Sequence, residues 1–290
     1  VSDGALSKAV MVGSTNSAQG ITPNGALSDT TLDGLSDGFI AVFNTNGTFQ
    51  YSSYFGGNDV DYISDVKLSG ATNDWTQLLL CGVTSSTSGF SASNSYQGAN
   101  DAFVAKVSLS GATLVNNGFV YYGGSDSELA NTICLGKNNT YFLSGNTSSN
   151  SNIATAGAFD MTLGGIDDDY IACFNSDLTI KWASYYGGTP TVSNPTASEK
   201  TGGANNGAYC AIDTAGNIYL LGNTTSGGLA TSGSYSTSIS GLEDWFLVKF
   251  DSLGNRVWAS YFGGFLSDIA TCISINTSNL IVVGGYSNSP

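Results

Sequence analysis

Residues able to do chemistry are abundant in this chain but narrow in kind. It holds 22 Asp and Glu, 8 Lys and Arg and no histidine among 290 residues. Without histidine there is no Ser-His-Asp or Cys-His nucleophile and no His-ligated zinc or iron. The commonest general base near neutral pH is also missing. What remains is carboxylate, tyrosine, lysine or oxygen-liganded metal chemistry. The most regular acids are Asp37, Asp101, Asp168 and Asp244, each opening an apolar run. Such an acid reads as a corner carboxylate accepting backbone N–H bonds, with calcium binding as the second reading. The run Asp167-Asp168-Asp169 is the densest acidic cluster and the candidate metal site. A second set, Asp59, Asp61, Asp126, Glu128 and Asp268, follows double glycines. A glycosidase needs two carboxylates at a defined separation; acids that recur with a repeat point instead to structure or solvation. Trp182 and Trp258 recur at one repeat position and read as core. Trp75, beside Asp74 in an irregular turn, is the candidate exposed contact for a partner.

The elements that must carry these residues are strands. Tyr54-Phe55-Gly56-Gly57 recurs as Tyr121-Tyr122-Gly123-Gly124, Tyr185-Tyr186-Gly187-Gly188 and Tyr261-Phe262-Gly263-Gly264, at intervals of about 65 to 75 residues, the mark of a repeat architecture. Four strand-like segments recur in order and are called a to d. Segment c, such as Asp168–Phe174, is apolar throughout and reads as a strand buried on both faces. Segment d, such as Ile180–Tyr185, alternates aromatic and β-branched residues with small ones. Between c and d, Asn44–Gly47, Ser108–Gly111 and Asp251–Gly254 fit a turn closing on a left-handed glycine; Leu178 breaks that rule and predicts a different turn. Segment b ends in a small polar motif found five times, as in Val12–Thr15 and Gly284–Ser287. The b–c loops, rich in Ser, Thr, Gly and Asn, are where function would be placed, together with the insertion Thr189–Asn206.

The expected fold is therefore all-β: a β-propeller of four-stranded blades, about 65 residues per repeat, with four to five blades, or a piece of a larger propeller. One domain spans 1–290, with units 1–57, 58–124, 125–188 and 189–264 and a partial unit 265–290. The chain begins and ends in segment b, so the end units are incomplete.

Composition narrows the setting. Only 10% of residues are charged, and the net charge is −14. A phosphate backbone would be repelled, which argues against nucleic acid and anionic membranes as partners. No apolar run is long enough to span a bilayer, and the first residues lack a signal-peptide pattern. The five cysteines, Cys81, Cys134, Cys173, Cys210 and Cys272, lie in apolar strand-like runs without a C-x-x-C pair. They read as buried thiols, with disulfides inside a blade as the alternative.

Gly157-Ala158-Phe159, Gly164-Gly165, Asp168–Ala172, Tyr185–Gly188 and Asp213–Thr224 follow one another in an order that resembles the bacterial SBBP β-propeller repeat. The resemblance covers nearly the whole chain. It implies a secreted or surface-attached propeller, often in Bacteroidetes that use type IX secretion, and no catalytic activity or fixed ligand. The expected function is non-enzymatic: an extracellular or cell-surface module binding carbohydrate or protein, with no cofactor beyond calcium. The alternatives are a subunit of an extracellular assembly joined through unpaired terminal strands, and a carboxylate glycosidase or lyase.

Overall fold

A computed structural model describes residues 8–21, 29–69, 77–110, 113–188 and 208–290. Trp75, Asp74 and the Thr189–Asn206 insertion lie outside the described residues. Those described form 17 strands and one 3-10 turn, Lys137–Asn139, with no α-helix. All strand pairings within the five sheets are antiparallel. The first sheet is β1 (Lys8–Thr15), β2 (Asp37–Asn44) and β3 (Phe49–Phe55). The second is β4 (Asp61–Leu68), β5 (Gln77–Thr84), β6 (Asp101–Ser110) and β7 (Thr113–Tyr122). The third is β8 (Glu128–Leu135), β9 (Tyr141–Thr147), β10 (Asp168–Phe174) and β11 (Ile180–Tyr186). The fourth is β12 (Tyr209–Ile212), β13 (Ile218–Thr224), β14 (Asp244–Phe250) and β15 (Arg256–Phe262). The fifth is β16 (Asp268–Ile275) with β17 (Ile281–Ser287). In segment terms this is b-c-d, three times a-b-c-d, then a-b. Each sheet meanders in chain order, and no sheet closes on itself.

The chain divides into two compact units, Val1–Gly123 and Gly124–Pro290. In the first, Ile40, Val42, Tyr51 and Phe55 of one sheet pack against Ile63, Leu80, Phe103 and Phe119 of the next. Phe55 and Phe103 stand 5.9 Å apart, and Phe103 stacks on Phe119 at 5.2 Å. In the second unit, Ile171, Cys173, Trp182 and Tyr186 of the third sheet pack against Cys210, Leu220, Phe246 and Phe250 of the fourth. The core of each unit is thus a layer between successive sheets, built from the same repeat positions.

Three local expectations are corrected. The Leu178 hairpin carries the same turn as its relatives. Leu178 takes φ 67°, beside 83° at Gly47 and 88° at Gly254, and donates its N–H to Asn175 as Gly254 does to Asp251. A left-handed non-glycine residue costs about 1 kcal/mol, and burial of the Leu178 side chain offsets it. The Ser108–Gly111 turn is instead strand as far as Ser110, where the pairing with β7 runs out to Ser110 opposite Thr113; Gly111 lies outside the described residues. Segment c is buried on both faces in β10, but β14 alternates buried and half-buried residues.

All five cysteines are free, and Cys272 is exposed rather than buried. It belongs to the fifth sheet, which has no c and d strands. The closest thiols, Cys134 on β8 and Cys210 on β12, face each other across two sheets at 3.2 Å rather than within one.

Candidate functional site: an open aromatic face on the fourth sheet

The corner acids come first, because the repeat is tied together through them. The c-opening carboxylates accept backbone N–H bonds from the residue four places earlier: Asp33 to Asp37 (3.0 Å), Gln97 to Asp101 (2.9 Å), Gly164 to Asp168 (2.7 Å) and Ser240 to Asp244 (2.8 Å). Three a-opening acids hold the second glycine of the preceding pair: Gly57 donates to Asp61 (2.7 Å), Gly124 to Glu128 (2.8 Å) and Gly264 to Asp268 (2.6 Å). Both sets are buried. Burial pushes the carboxyls of Asp37, Asp61 and Asp244 above the usual range, and that of Asp168 up to about 6.

Asp167, Asp168 and Asp169 do not converge. Asp167 accepts from the Ser148 hydroxyl, Asp168 from the Gly164 N–H, and Asp169 from the Asn146 side-chain amide. Among the described residues no three His, Cys, Asp or Glu side chains group as metal ligands. Burial, with Asp168 alongside, holds the Asp169 carboxyl well above its usual range.

A second tie couples segments b and d. The residue ending each b motif is set by a short turn in which a Thr or Ser hydroxyl accepts the N–H two residues on: Thr15 from Ser17, Thr84 from Ser86, Thr147 from Ser149, Thr224 from Ser226 and Ser287 from Ser289, at 2.9–3.0 Å. The carbonyl so placed receives a tyrosine hydroxyl from segment d: Tyr54 to Ser17 (2.7 Å), Tyr121 to Ser86 (3.0 Å), Tyr185 to Ser149 (2.8 Å) and Tyr261 to Ser226 (2.8 Å). Sequence reasoning saw both motifs and missed their coupling, although their matched recurrence was the available signal.

The open site lies on the fourth sheet. A cleft of about 470 Å³ runs between β14, β15 and the loop before β14. Trp245, Leu247, Trp258 and Phe262 line it with Tyr235, and Thr231, Ser232, Gly233, Ser234, Ser260 and Tyr261 complete the lining; no carboxylate lines it. Phe262 stacks on Tyr235 at 5.7 Å and lies 4.6 Å from Trp245. Tyr235 is 83% exposed and Phe262 48%. The repeat equivalents of Phe262 are Phe55, Tyr122 and Tyr186, all buried. Tyr186 is covered by Phe246 at 4.8 Å, and Trp182 packs on Phe250 at 6.4 Å. Trp182 is therefore core, as expected, whereas Trp258, at the same repeat position, is half-buried and faces the cleft. The loop residue equivalent to Tyr235, Phe159, lies under the Arg256 guanidinium at 4.4 Å. What covers these positions elsewhere is largely the c–d half of the next sheet, and the fifth sheet has only a and b.

Among the described residues no helix is long and apolar enough to cross a membrane. Comparison with protein-family models gives no match, and comparison with curated proteins gives none. Among solved structures, a chain of Kuenenia stuttgartiensis hydrazine synthase is similar at 11% identity with a TM-score of 0.41. The similarity covers 86% of this chain and spans 65% of that one.

Proposed function

We propose that the chain is a non-catalytic, propeller-type repeat scaffold of a secreted or cell-surface protein, and that it works by binding a protein partner on the open aromatic face of its fourth sheet. The observation that carries this reading is the exposure of Phe262, whose repeat equivalents Phe55, Tyr122 and Tyr186 are buried, beside the still more exposed Tyr235. A contiguous aromatic patch left open marks an interaction site. The cleft lining supports binding rather than catalysis, since it offers hydroxyls and rings but no acid pair. The corner acids support a scaffold role, each being engaged by backbone N–H groups. The four-segment sheets and the SBBP-like motifs support the propeller and the extracellular setting.

The test is affinity capture from a cell-surface extract with wild-type protein and with a Tyr235→Ser/Phe262→Ser variant. A component retained by the wild type and reduced about tenfold or more by the variant supports the reading. Equal retention by both refutes it. A polysaccharide retained in the same face-dependent way would replace the protein partner with a glycan.

A further inference from the structure

The third and fourth sheets share no ladder of hydrogen bonds, and a pair of thiols lies where they meet. β8 is an edge strand of the third sheet and β12 an edge strand of the fourth. Cys134 on β8 and Cys210 on β12 place their Sγ atoms 3.2 Å apart. Both belong to the second compact unit and to its core cluster. Two further bonds tie the strands at this point. The Cys134 thiol donates to the Cys210 carbonyl at 3.0 Å, and the Ser144 hydroxyl of β9 donates to the Ala208 carbonyl at 2.9 Å. A disulfide bond is about 2.0 Å long, so the two sulfurs are about 1.2 Å short of bonding. The other cysteines are not so placed. Cys173 and Cys134 both face Phe142 in the third-sheet ladder, one on either side. With strands about 4.8 Å apart, their Cα atoms stand about 10 Å apart, beyond the limit of about 7 Å for a bridge. Burial also pushes the Cys173 thiol up to about 12. Cys272 is exposed on β16, and Cys81 belongs to the other unit. The strand that Cys210 anchors has the shorter ladder: β12 has four residues where β4, β8 and β16 have eight.

We propose that Cys134 and Cys210 are an oxidative modification site, at which a small disulfide oxidant joins β8 to β12 and so fastens the fourth sheet to the third. Cys134 is 9% exposed beside the exposed Leu135, and Cys210 is 3% exposed. Cys134 therefore meets the oxidant and Cys210 resolves the product. The Cys134 thiol gives its proton to solvent, and the thiolate attacks one sulfur of the oxidant RS–SR. The oxidant's S–S bond breaks, one RS⁻ leaves and takes up a proton, and a mixed disulfide remains on Cys134. The Cys210 thiol then loses its proton and attacks the Cys134 sulfur, expelling the second RS⁻, which is protonated in turn. The two protein thiols lose two electrons and two protons in all, and RS–SR becomes two RSH. Because the sulfurs already touch in the folded chain, the second step needs no rearrangement of the sheets. The site is independent of the aromatic face. It meets the secreted setting proposed above, since disulfides persist where the surroundings are oxidising.

The experiment uses the purified full chain, fully reduced and then equilibrated with buffers of reduced and oxidised glutathione. Remaining thiols are alkylated after denaturation, and peptide mapping locates the bond. The expected result is one linked pair of peptides carrying Cys134 and Cys210, with Cys81, Cys173 and Cys272 alkylated. The equilibrium constant for oxidation should be about 1,000-fold larger in the folded chain than in the chain unfolded by urea, because folding brings the two thiols together across 76 residues. Cys210→Ser should stop at a glutathione adduct on Cys134. Cys134→Ser should form no bond and should gain an adduct at Cys210 about tenfold more slowly. Circular dichroism checks that each variant is folded. For a variant that is not, the wild-type comparison of folded with unfolded chain decides alone. Five alkylated cysteines in the folded wild type at every glutathione ratio overturn the proposal. So do a bond between any other pair and an oxidation constant equal in the folded and unfolded chain. Adducts that build up equally fast on the two single variants overturn the order of attack.

Discussion

Trp182 and Trp258 occupy one repeat position, so replacing each with alanine separates what the strand contributes from what the next sheet contributes. Trp182 is 9% exposed, its ring 6.0 Å from Phe142 and 6.4 Å from Phe250, and its Nε1 donates to the Ser252 carbonyl at 3.2 Å. The indole lies so close to Gly254 that a Cβ there would sit 2.8 Å from it. Truncating a buried tryptophan costs about 3–5 kcal/mol, and a lost hydrogen bond adds about 1 kcal/mol; Trp182→Ala should cost about 4 kcal/mol or more. Trp258 has an edge-on partner in Tyr219 at 6.1 Å and otherwise faces the cleft. Its surface is already partly wet, so Trp258→Ala should cost about 1–2 kcal/mol on the same area scale. Urea unfolding followed by far-UV circular dichroism reads both without depending on tryptophan emission. Equal losses would refute the reasoning, because they would mean that cover by a following sheet does not distinguish the two sites.

Stability should rise as pH falls from about 7.5 toward 4.5. Burial raises the carboxyls of Asp37, Asp61, Asp167, Asp169 and Asp244, and takes Asp168 to about 6. An acid whose folded pKa lies above its unfolded one binds more protons when folded, so protonation across the window from about 6 to 4 favours the folded state. Asp168, about two pKa units up, accounts for about 3 kcal/mol. Below that window the lowered acids Asp213 (to about 2), Asp251 and Asp268 reverse the trend. A melting temperature that falls between pH 7.5 and 4.5, or an Asp168→Asn variant with an unflattened profile, would contradict this. Leu178→Gly should relieve about 1 kcal/mol of left-handed strain and forfeit about 2–3 kcal/mol of burial, a net loss of about 1–2 kcal/mol in urea unfolding. Oxidised glutathione should convert the Cys134 and Cys210 thiols to a disulfide, passing two electrons and two protons to the oxidant. The product would be 2 Da lighter by intact mass and about 4 kcal/mol more stable, since the bond closes a loop of 76 residues.

How much could be read in advance depended on whether a residue's environment lies within its own repeat. Segments a to d were legible because strand alternation, the c-opening Asp and the double glycine are local signals. The Leu178 turn misled for an opposite reason. Glycine is the cheap residue at a left-handed position, but a buried leucine can hold the same φ when packing outweighs strain. Trp182 and Trp258 have the same sequence context and different surroundings, because exposure is set by which strands follow, and sequence periodicity is silent on that. The aromatic cleft was invisible for the same reason.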